Sequence, residues 1–504
     1  MSCKVPPMKV RTRAMVAATA FLVCSVLFSN SRSSGQATKP SDFKKDPPNA
    51  GAVRANVIDM RDGKRIVKNP PEEKANQEAM NLMAKSLIYP ITDSRFYFPA
   101  ENTKGELKPA VFAESIHQQL ENFERFILVP YQTPALNSRL NVDQADYIKG
   151  FGVAVDAALK EVLTPAMPNF IRVNAARVLA IAAKSGAPAH YPMLLAMLND
   201  PATPPEVLIY VIRASEGLIG AYEAIPRASG ATGYALHTIK DAEMVQLVTA
   251  LEAVIARDQP YGKQPKAPQP IAAPVAPPVD PKAPAATKPV EPKAAPPVAG
   301  QLQANPLSAE QMATIRYYRR AAIRALAQCR YPQFVDPANG KTVRPLMTLA
   351  KIAVMDTSLN FVPGPDESAE AVIGLANIHD PKGLNLDVQL DAIATGIYHF
   401  AVLKTGSNAD KSIPWKIYAA RIATSLADWQ KTPPAQRTAQ KIGSLVTVAT
   451  DKLLAPIEKL SSGINQSSPN LDAIVSWKKD RPITQPQLFI DVKESTLNPG
   501  NRPN

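Results

Sequence analysis

Arginines at a repeated position are the residues of this sequence whose spacing most suggests binding chemistry. Arg177, Arg324 and Arg421 occupy the same place in a recurring nine-residue phrase, which reads RVNAARVLA, RRAAIRALA and, more loosely, KIYAARIAT. A guanidinium stays charged and can bind a carboxylate or phosphate through two parallel hydrogen bonds. The three arginines are therefore candidate residues for binding an acidic partner. The favoured interpretation is structural: they cap neighbouring turns or lie in solvent.

The remaining titratable residues form no recognisable catalytic or metal-binding pattern. Asp366 and Glu367 follow Pro365 and are predicted to be acids at a helix start rather than a catalytic pair. No glycine-rich phosphate loop, nucleophile elbow or metalloprotease motif is found, so no catalytic residue, cofactor or metal is predicted. The five histidines lack ligand spacing and are predicted to be ordinary surface or edge residues: His117, His190, His237, His379 and His399.

Two further groups have both a functional and a structural interpretation. The sequence RYYRR at 316–320 mixes cations with aromatic rings, as surfaces that bind nucleic acids or glycans do. On a helix these side chains point in different directions, so the two tyrosines should divide between core and rim. Cys329 is the one cysteine after residue 37, and it is predicted to be a buried, small apolar residue on a helix rather than a reactive thiol.

The first 37 residues have the tripartite pattern of a secretory signal peptide. Four cations precede an uncharged run from Ala14 to Ser29, and the small residues Gly35 and Ala37 precede the expected cleavage site. A membrane span usually needs about 20 apolar residues, so cleavage is favoured over a retained anchor. We expect a secreted, periplasmic or cell-envelope protein without an integral membrane domain beyond this segment.

The charge of the chain argues against nucleic acid as a partner. The net charge is +13, and residues 1–37 carry five cations and no acid, so +8 remains after cleavage. A further +3 lies in the proline-rich segment described next. The mild excess that remains suits weak attraction to acidic polymers or anionic surfaces.

Composition divides the rest of the chain into helical blocks and their connections. In the blocks, apolar residues recur at spacings of three and four, and prolines and glycines fall between these stripes. The predicted stripes begin at Phe112, run from Tyr147 to Val162, from Ile171 to Ala182 and from Ala369 to Ala376, and the first helix is expected to end before Pro90. Residues 259–300 hold thirteen prolines and are predicted to form an extended spacer. No strand pattern is found, and 488–490 is expected to dock as an extended piece. The predicted divisions are a leader without regular structure at 38–68, an N-terminal helical block at 69–258, a Pro/Ala-rich disordered linker at 259–302, a C-terminal helical block at 303–462 and a mostly unstructured tail at 463–504.

The region from Phe170 to Gly220 resembles HEAT-type repeats. It contains FIRVNAARVLAIAAKSG, YPMLLAMLND and PPEVLIYVIRASEGLIG in succession. In that family, helix pairs of about 40 residues stack to bury a continuous core. The second helix of each pair carries an arginine, then an alanine three residues later, then a small–Leu–small step. Arg172 and Arg319 begin segments that fit this pattern. The family's usual aspartate before the arginine is absent, the helix from Pro205 lacks the arginine, and the third echo has Lys416 there and no leucine.

The sequence thus predicts an all-α fold of irregular HEAT-like helical repeats, in two blocks joined by a Pro/Ala-rich spacer. Repeat scaffolds bind through surface shape, so we expect an exported, non-enzymatic scaffold whose partner is a protein or a cell-envelope polymer. Two alternatives stay open. One is a cell-envelope enzyme acting on polysaccharide through carboxylates and tyrosines in a helical groove, and the other is a structural envelope protein bound to anionic polymers through its basic linker.

Overall fold

The chain is mostly α-helical, which confirms the predicted all-α class. All the described residues belong to one compact unit, and among them no helix is both long and apolar enough to cross a bilayer. The computed structural model describes residues 50–68, 72–92, 100–101, 107–108, 116–132, 142–229, 239–258, 307–378, 384–406, 412–431, 439–460, 468–483 and 487–489.

The elements before the proline-rich segment are helices with one short hairpin. They are α1 (Ala50–Arg61), α2 (Glu73–Thr92), β1 (Ala100–Glu101), β2 (Leu107–Lys108), α3 (Ile116–Gln132), α4 (Val142–Val162), α5 (Asn169–Ala182), the 3₁₀ turns Ala183–Ser185 and Pro188–His190, α6 (Tyr191–Asn199), α7 (Pro205–Ser229) and α8 (Asp241–Ala256).

The elements after that segment follow the same plan. They are α9 (Ala309–Leu326), β3 (Phe334–Val335), β4 (Thr342–Val343), α10 (Pro345–Ala353), α11 (Pro365–Asn377), α12 (Leu386–Thr405), α13 (Trp415–Gln430), α14 (Ala439–Thr447), the π-helical segment Val448–Leu454, α15 (Ala455–Leu460) and α16 (Leu471–Lys479).

The predicted apolar stripes form the core of the helical body. In α4 every predicted member from Tyr147 to Val162 is buried, and in α5 the whole stripe from Ile171 to Ala182 is buried as well. The stripe predicted from Ala369 to Ala376 in α11 is also buried. Side chains three and four residues apart share one face of a helix, so each stripe turns towards the neighbouring helices. Phe112, predicted to begin the stripe of α3, lies outside the described residues.

Alternate helices form a row that runs through most of the body. In this row, α5, α7, α9, α11 and α13 each pack against the next. The helices between them pack on the row and on one another: α6 contacts α7 and α8, α8 contacts α9, and α10 contacts α11 and α12. Because α9 packs on both α7 and α8, the helices on the two sides of residues 259–302 are in direct contact.

Two segments predicted to lack regular structure contain helices. The first is α1, within the predicted leader 38–68, where Val57 and Met60 are fully buried and the helix packs on α2 and α4. The second is α16, within the predicted tail 463–504, where Ile474 and Trp477 are buried against α12 and the π-helical segment. In both helices a pair of apolar residues three apart faces the body, and such a pair is too short to form a visible stripe.

The sequence also misplaced a helix end and missed two hairpins. Helix α2 continues through Pro90 to Thr92, whereas it was expected to end before Pro90. The proline lies in the last turn, where it removes one hydrogen bond, and burial of Ile91 offsets that loss. The antiparallel pairs β1–β2 and β3–β4 have strands of two residues each, which is too short for an alternating pattern.

The predicted docking of the C-terminal segment is confirmed for Leu488 and Phe489. Phe489 forms an antiparallel bridge with Leu384, and the amide of Asn385 donates to the carbonyl of Leu488 at 2.9 Å. Leu488 is buried, and the guanidinium of Arg344 lies over the ring of Phe489 at 4.7 Å. The segment is therefore held by both backbone and side-chain contacts at the start of α12.

Candidate functional site

Two of the three candidate arginines converge on one buried carboxylate. Glu370 in α11 has a side chain with 0% exposure. Arg421 of α13 donates from Nη1 and Nη2 to its two oxygens at 2.7 and 2.8 Å, and Arg324 of α9 donates from Nε at 3.0 Å and from Nη2. Burial alone raises the pKa of Glu370, but these hydrogen bonds outweigh it and hold the pKa below its ordinary value.

Charge alternates along the row of helices. Arg177 lies on α5, Glu216 on α7, Arg324 on α9, Glu370 on α11 and Arg421 on α13. Burial raises the pKa of Glu216, and the positive charge of Arg324 lowers it by a smaller amount. Each helix of the row thus offers its neighbour a group of opposite sign. Arg324 and Arg421 stabilise the packing of α9, α11 and α13 through Glu370, so their role is structural but differs from the predicted one of capping neighbouring turns or lying in solvent.

A second phrase, missed at the sequence level, marks the intervening helices. EGLIG at 216–220 in α7 and EAVIG at 370–374 in α11 share their glutamate, isoleucine and glycine. The glutamate stands one residue before a small residue and two before an apolar one, which is the position of Arg324 in the IRALA segment at 323–327. Glu216 thus takes the place of Arg177 and Arg324 in the phrase, while Val211 stands at the place of Arg172 and Arg319. A search for charge reversal at the repeated position would have found it.

The RYYRR segment is divided between core and surface, as predicted. Tyr318 is buried, whereas Tyr317 is 46% exposed. Arg319 is buried and ties α9 to the end of α8, because its Nε donates to the carbonyl of Ile255 at 2.9 Å and its Nη2 to that of Arg257 at 3.1 Å. These contacts make Arg319 a structural residue. Cys329 is buried as predicted, although it lies three residues after the end of α9 rather than on a helix.

The acids that begin α11 are helix-start residues, as predicted. Glu367 accepts a hydrogen bond from the amide of Gly364 at 2.6 Å, which satisfies a donor at the helix start. Asp366 binds the guanidinium of Arg320 and lies 3.6 Å from that of Arg316. Both carboxylates therefore have structural partners.

Arg177, the third candidate arginine, lines a groove of about 630 Å³. Helices α3, α5 and α7 each contribute residues at spacings of three and four, so that one face of each helix meets the groove. Gln328, in the turn after α9, closes one side and donates to Glu216 at 3.4 Å. The lining residues of α3 are His117, Leu120, Glu121 and Glu124, those of α5 and its end are Arg177, Ala180, Ile181 and Lys184, and those of α7 are Tyr210, Arg213, Glu216, Gly217, Gly220 and Ala221.

The acids on the α3 side of this groove already have cationic neighbours. Glu124 is paired with Lys184, and Glu121 lies 3.2 Å from Nε2 of His117 and 3.8 Å from a guanidinium nitrogen of Arg125. These pairs partly neutralise that wall. They leave the cations of α5 and α7 as the groups available to an acidic ligand.

Two guanidiniums in the groove have no carboxylate within salt-bridge distance in the described part of the chain. Arg177 donates to the side-chain oxygen of Asn174 at 3.2 Å, and Arg213 lies over the ring of Tyr210 at 5.4 Å. A neutral amide and an aromatic ring orient these groups without cancelling their charge. The groove therefore combines two guanidiniums that lie outside salt bridges with small and apolar residues, and Glu216 in the same lining is close enough to Arg213 for their charges to interact.

The histidines are not gathered into a site. His117 is exposed and His399 is partly buried, while His237 and His379 lie outside the described residues. His190 corrects the prediction of a surface or edge position: it is fully buried, and within the described residues neither ring nitrogen has a hydrogen-bond partner. Burial lowers its pKa to about 4. The described residues contain no group of three side chains that could hold a metal ion.

Comparison with known proteins returns no match to this chain, whether by family model, curated protein or solved structure. The class that the structure defines is an all-α protein of stacked helices. Its described surface includes the groove between α3, α5 and α7.

Proposed function

We propose that this chain is an exported, non-enzymatic scaffold of HEAT-like helical repeats that binds a protein or cell-envelope partner. The observation that carries the proposal is the groove, because Arg177 and Arg213 line it outside salt-bridge distance of the carboxylates in the described residues. The row of alternating helices supports a repeat origin, since each helix packs mainly on its neighbours. The signal-peptide pattern of residues 1–37 supports export.

An envelope enzyme acting on polysaccharide has less support. Cleavage of a glycosidic bond normally uses two carboxylates on either side of the bond. In this groove Glu121 and Glu124 lie in ion pairs. Glu216 is then the one remaining carboxylate among the described lining residues, and burial raises its pKa. A structural protein held through the linker 259–302 is a further alternative, which rests on the sequence because that segment lies outside the described residues.

Affinity capture tests this proposal. The tagged full chain should retain a specific partner from an extract of the cell envelope. Arg177→Gln/Arg213→Gln should lose that partner, because it removes the two guanidinium charges that line the groove outside salt bridges. The control is Lys149→Gln/Lys416→Gln, which removes two exposed cations from α4 and α13. The control should retain the same partner as the wild type. The scaffold proposal is wrong if neither the wild-type chain nor the control retains a specific partner.

A further inference from the structure

Gly220 occupies a place in α7 where glycine has no packing role. It lies well inside the helix, and glycine is the poorest helix former after proline. A Cβ built on Gly220 would meet only the Oε1 of Gln328, at 4.0 Å, among the described residues. An alanine would therefore fit without a clash. The residue faces the groove rather than a neighbouring helix.

Two comparable glycines do have packing roles. A Cβ on Gly217, one turn earlier in α7, would lie 3.0 Å from the backbone nitrogen of Lys184. A Cβ on Gly374, which ends the matching phrase in α11, would lie 2.9 Å from the Cα of Ala327. These glycines allow helices to approach closely. Gly220, in contrast, faces the groove, and no neighbouring helix of the described chain requires a glycine there.

The rest of the groove indicates what could approach Gly220. Ile181 offers apolar surface, and Arg177 and Arg213 offer donors for a carboxylate. A glycine in a helix has no side chain, so another backbone or a small side chain can approach its backbone closely. Glu216 lies in the same lining, and Glu121 and Glu124 stand on the opposite wall. Those acids disfavour a uniformly anionic polymer but not a chain that also carries neutral residues.

We propose that the groove binds a peptide segment that passes over Gly220 and carries an acidic side chain beside small apolar ones. The acidic side chain binds Arg177 and Arg213, and the apolar ones lie against Ile181. This proposal rests on the proposed scaffold function and names the chemical class of its partner. A peptide satisfies both features of the groove, since it joins charge to apolar surface within a few residues.

Selection from a random peptide library displayed on phage tests the proposal. The immobilised full chain should enrich peptides that place Asp or Glu next to small apolar residues. A synthetic copy of the most enriched peptide is then titrated against each variant by fluorescence anisotropy. Arg177→Gln/Arg213→Gln should weaken binding by about tenfold or more, because charge-assisted hydrogen bonds are lost. Lys149→Gln/Lys416→Gln, which changes the net charge equally, should bind within about twofold of the wild type.

The variants at Gly220 separate ligand contact from structural effects. Gly220→Leu should abolish binding by filling the groove. Gly220→Ala should keep or raise the melting temperature and yet weaken binding, a combination that a purely structural glycine cannot give. Equal peptide affinity for the wild type and Gly220→Leu overturns the proposal. Failure to enrich any peptide, or enrichment of peptides without acids, overturns it as well.

A polymer control decides between classes of ligand. Sodium polygalacturonate carries carboxylates without apolar side chains and should not displace the bound peptide. If it does so from the wild type but not from Arg177→Gln/Arg213→Gln, the groove is a site for anionic polymer and the peptide proposal is wrong. The scaffold function and the groove assignment can fail separately. If the Arg177→Gln/Arg213→Gln variant still retains a specific envelope partner, the scaffold function stands and only the groove is wrong as its binding site.

Discussion

Replacing Glu370 by glutamine should have opposite effects on stability in two backgrounds. In the wild type, the carboxylate is fully buried and accepts hydrogen bonds from Arg324 and Arg421. A glutamine keeps the shape but loses the charge and one of the two acceptor oxygens. Charge-assisted hydrogen bonds contribute about 1.5–3 kcal/mol each. The half-exposed guanidiniums can recover part of this from water, so Glu370→Gln should cost about 2–3 kcal/mol.

In the Arg324→Ala/Arg421→Ala background, the same substitution should stabilise the protein. Removal of both arginines leaves an ionised group buried without a cation, a change that typically costs about 3–5 kcal/mol. The carboxylate can then relieve the penalty only by taking up a proton or admitting water. Glutamine removes the charge at once, so Glu370→Gln should regain about 1–2 kcal/mol there.

Urea unfolding of four full-length proteins, followed by circular dichroism at neutral pH, measures both effects. The four are the wild type, Glu370→Gln, Arg324→Ala/Arg421→Ala and the triple variant. The pH provides a second readout. Since the pKa of Glu370 is lowered from 4.5 in the folded state, its stabilisation is present above about pH 4.5 and is lost as the pH falls through the folded value. A loss of stability on Glu370→Gln in both backgrounds would refute the bridging role.

Three further predictions follow from the core and from the connection between its halves. The pKa of His190 is about 4 in the folded state and 6.5 in the unfolded state, so about 3 kcal/mol of stability should be lost as the pH falls from 6.5 to 4. In a plot of the urea midpoint against pH, His190→Leu should flatten this range. Gly217→Ala should lower the melting temperature because its Cβ meets Lys184, whereas Gly220→Ala should stabilise by up to about 1 kcal/mol; a fall in both would contradict this. Protease cleavage within 259–302 should leave two fragments that co-elute in size-exclusion chromatography, because α9 packs on α7 and α8; separate elution would disprove that contact.

Local periodicity was sufficient to predict the wide core faces of this fold. The stripe of α4 from Tyr147 to Val162 has a period of 3.6 residues over several turns, and this pattern leaves one possible buried face. The same method missed α1, where Val57 and Met60 are surrounded by polar residues. A helix with two buried side chains depends on its neighbours for stability, and those neighbours are distant in sequence.

The positions of the candidate arginines were predictable, but their partners were not. The phrase placed Arg324 and Arg421 at the same phase of two helices. It did not identify Glu370, which lies 46 and 51 residues from them along the chain. His190 shows the same limit: a Cβ built on Gly152 would lie 3.9 Å from its Nε2, so a glycine distant in sequence packs beside the imidazole, which no local pattern encodes.

The alternation of charge along the row gives a physical reason why the repeated arginine phrase occurs on α5, α9 and α13. If every helix of the row carried arginine at the repeated position, neighbouring guanidiniums would repel one another across each contact. Glutamate on α7 and α11 removes that repulsion and leaves the arginine phrase on α5, α9 and α13. The repeated arginine phrase therefore occurs on every second helix of the row.

The residues at 259–302 fall between α8 and α9, yet α7 still packs on α9 and keeps Glu216 near Arg324. A stack that depends on contacts between neighbours can accept a long insertion at such a connection, provided that the helices on either side still meet. The alternation continues across the insertion, which supports one row rather than two independent ones.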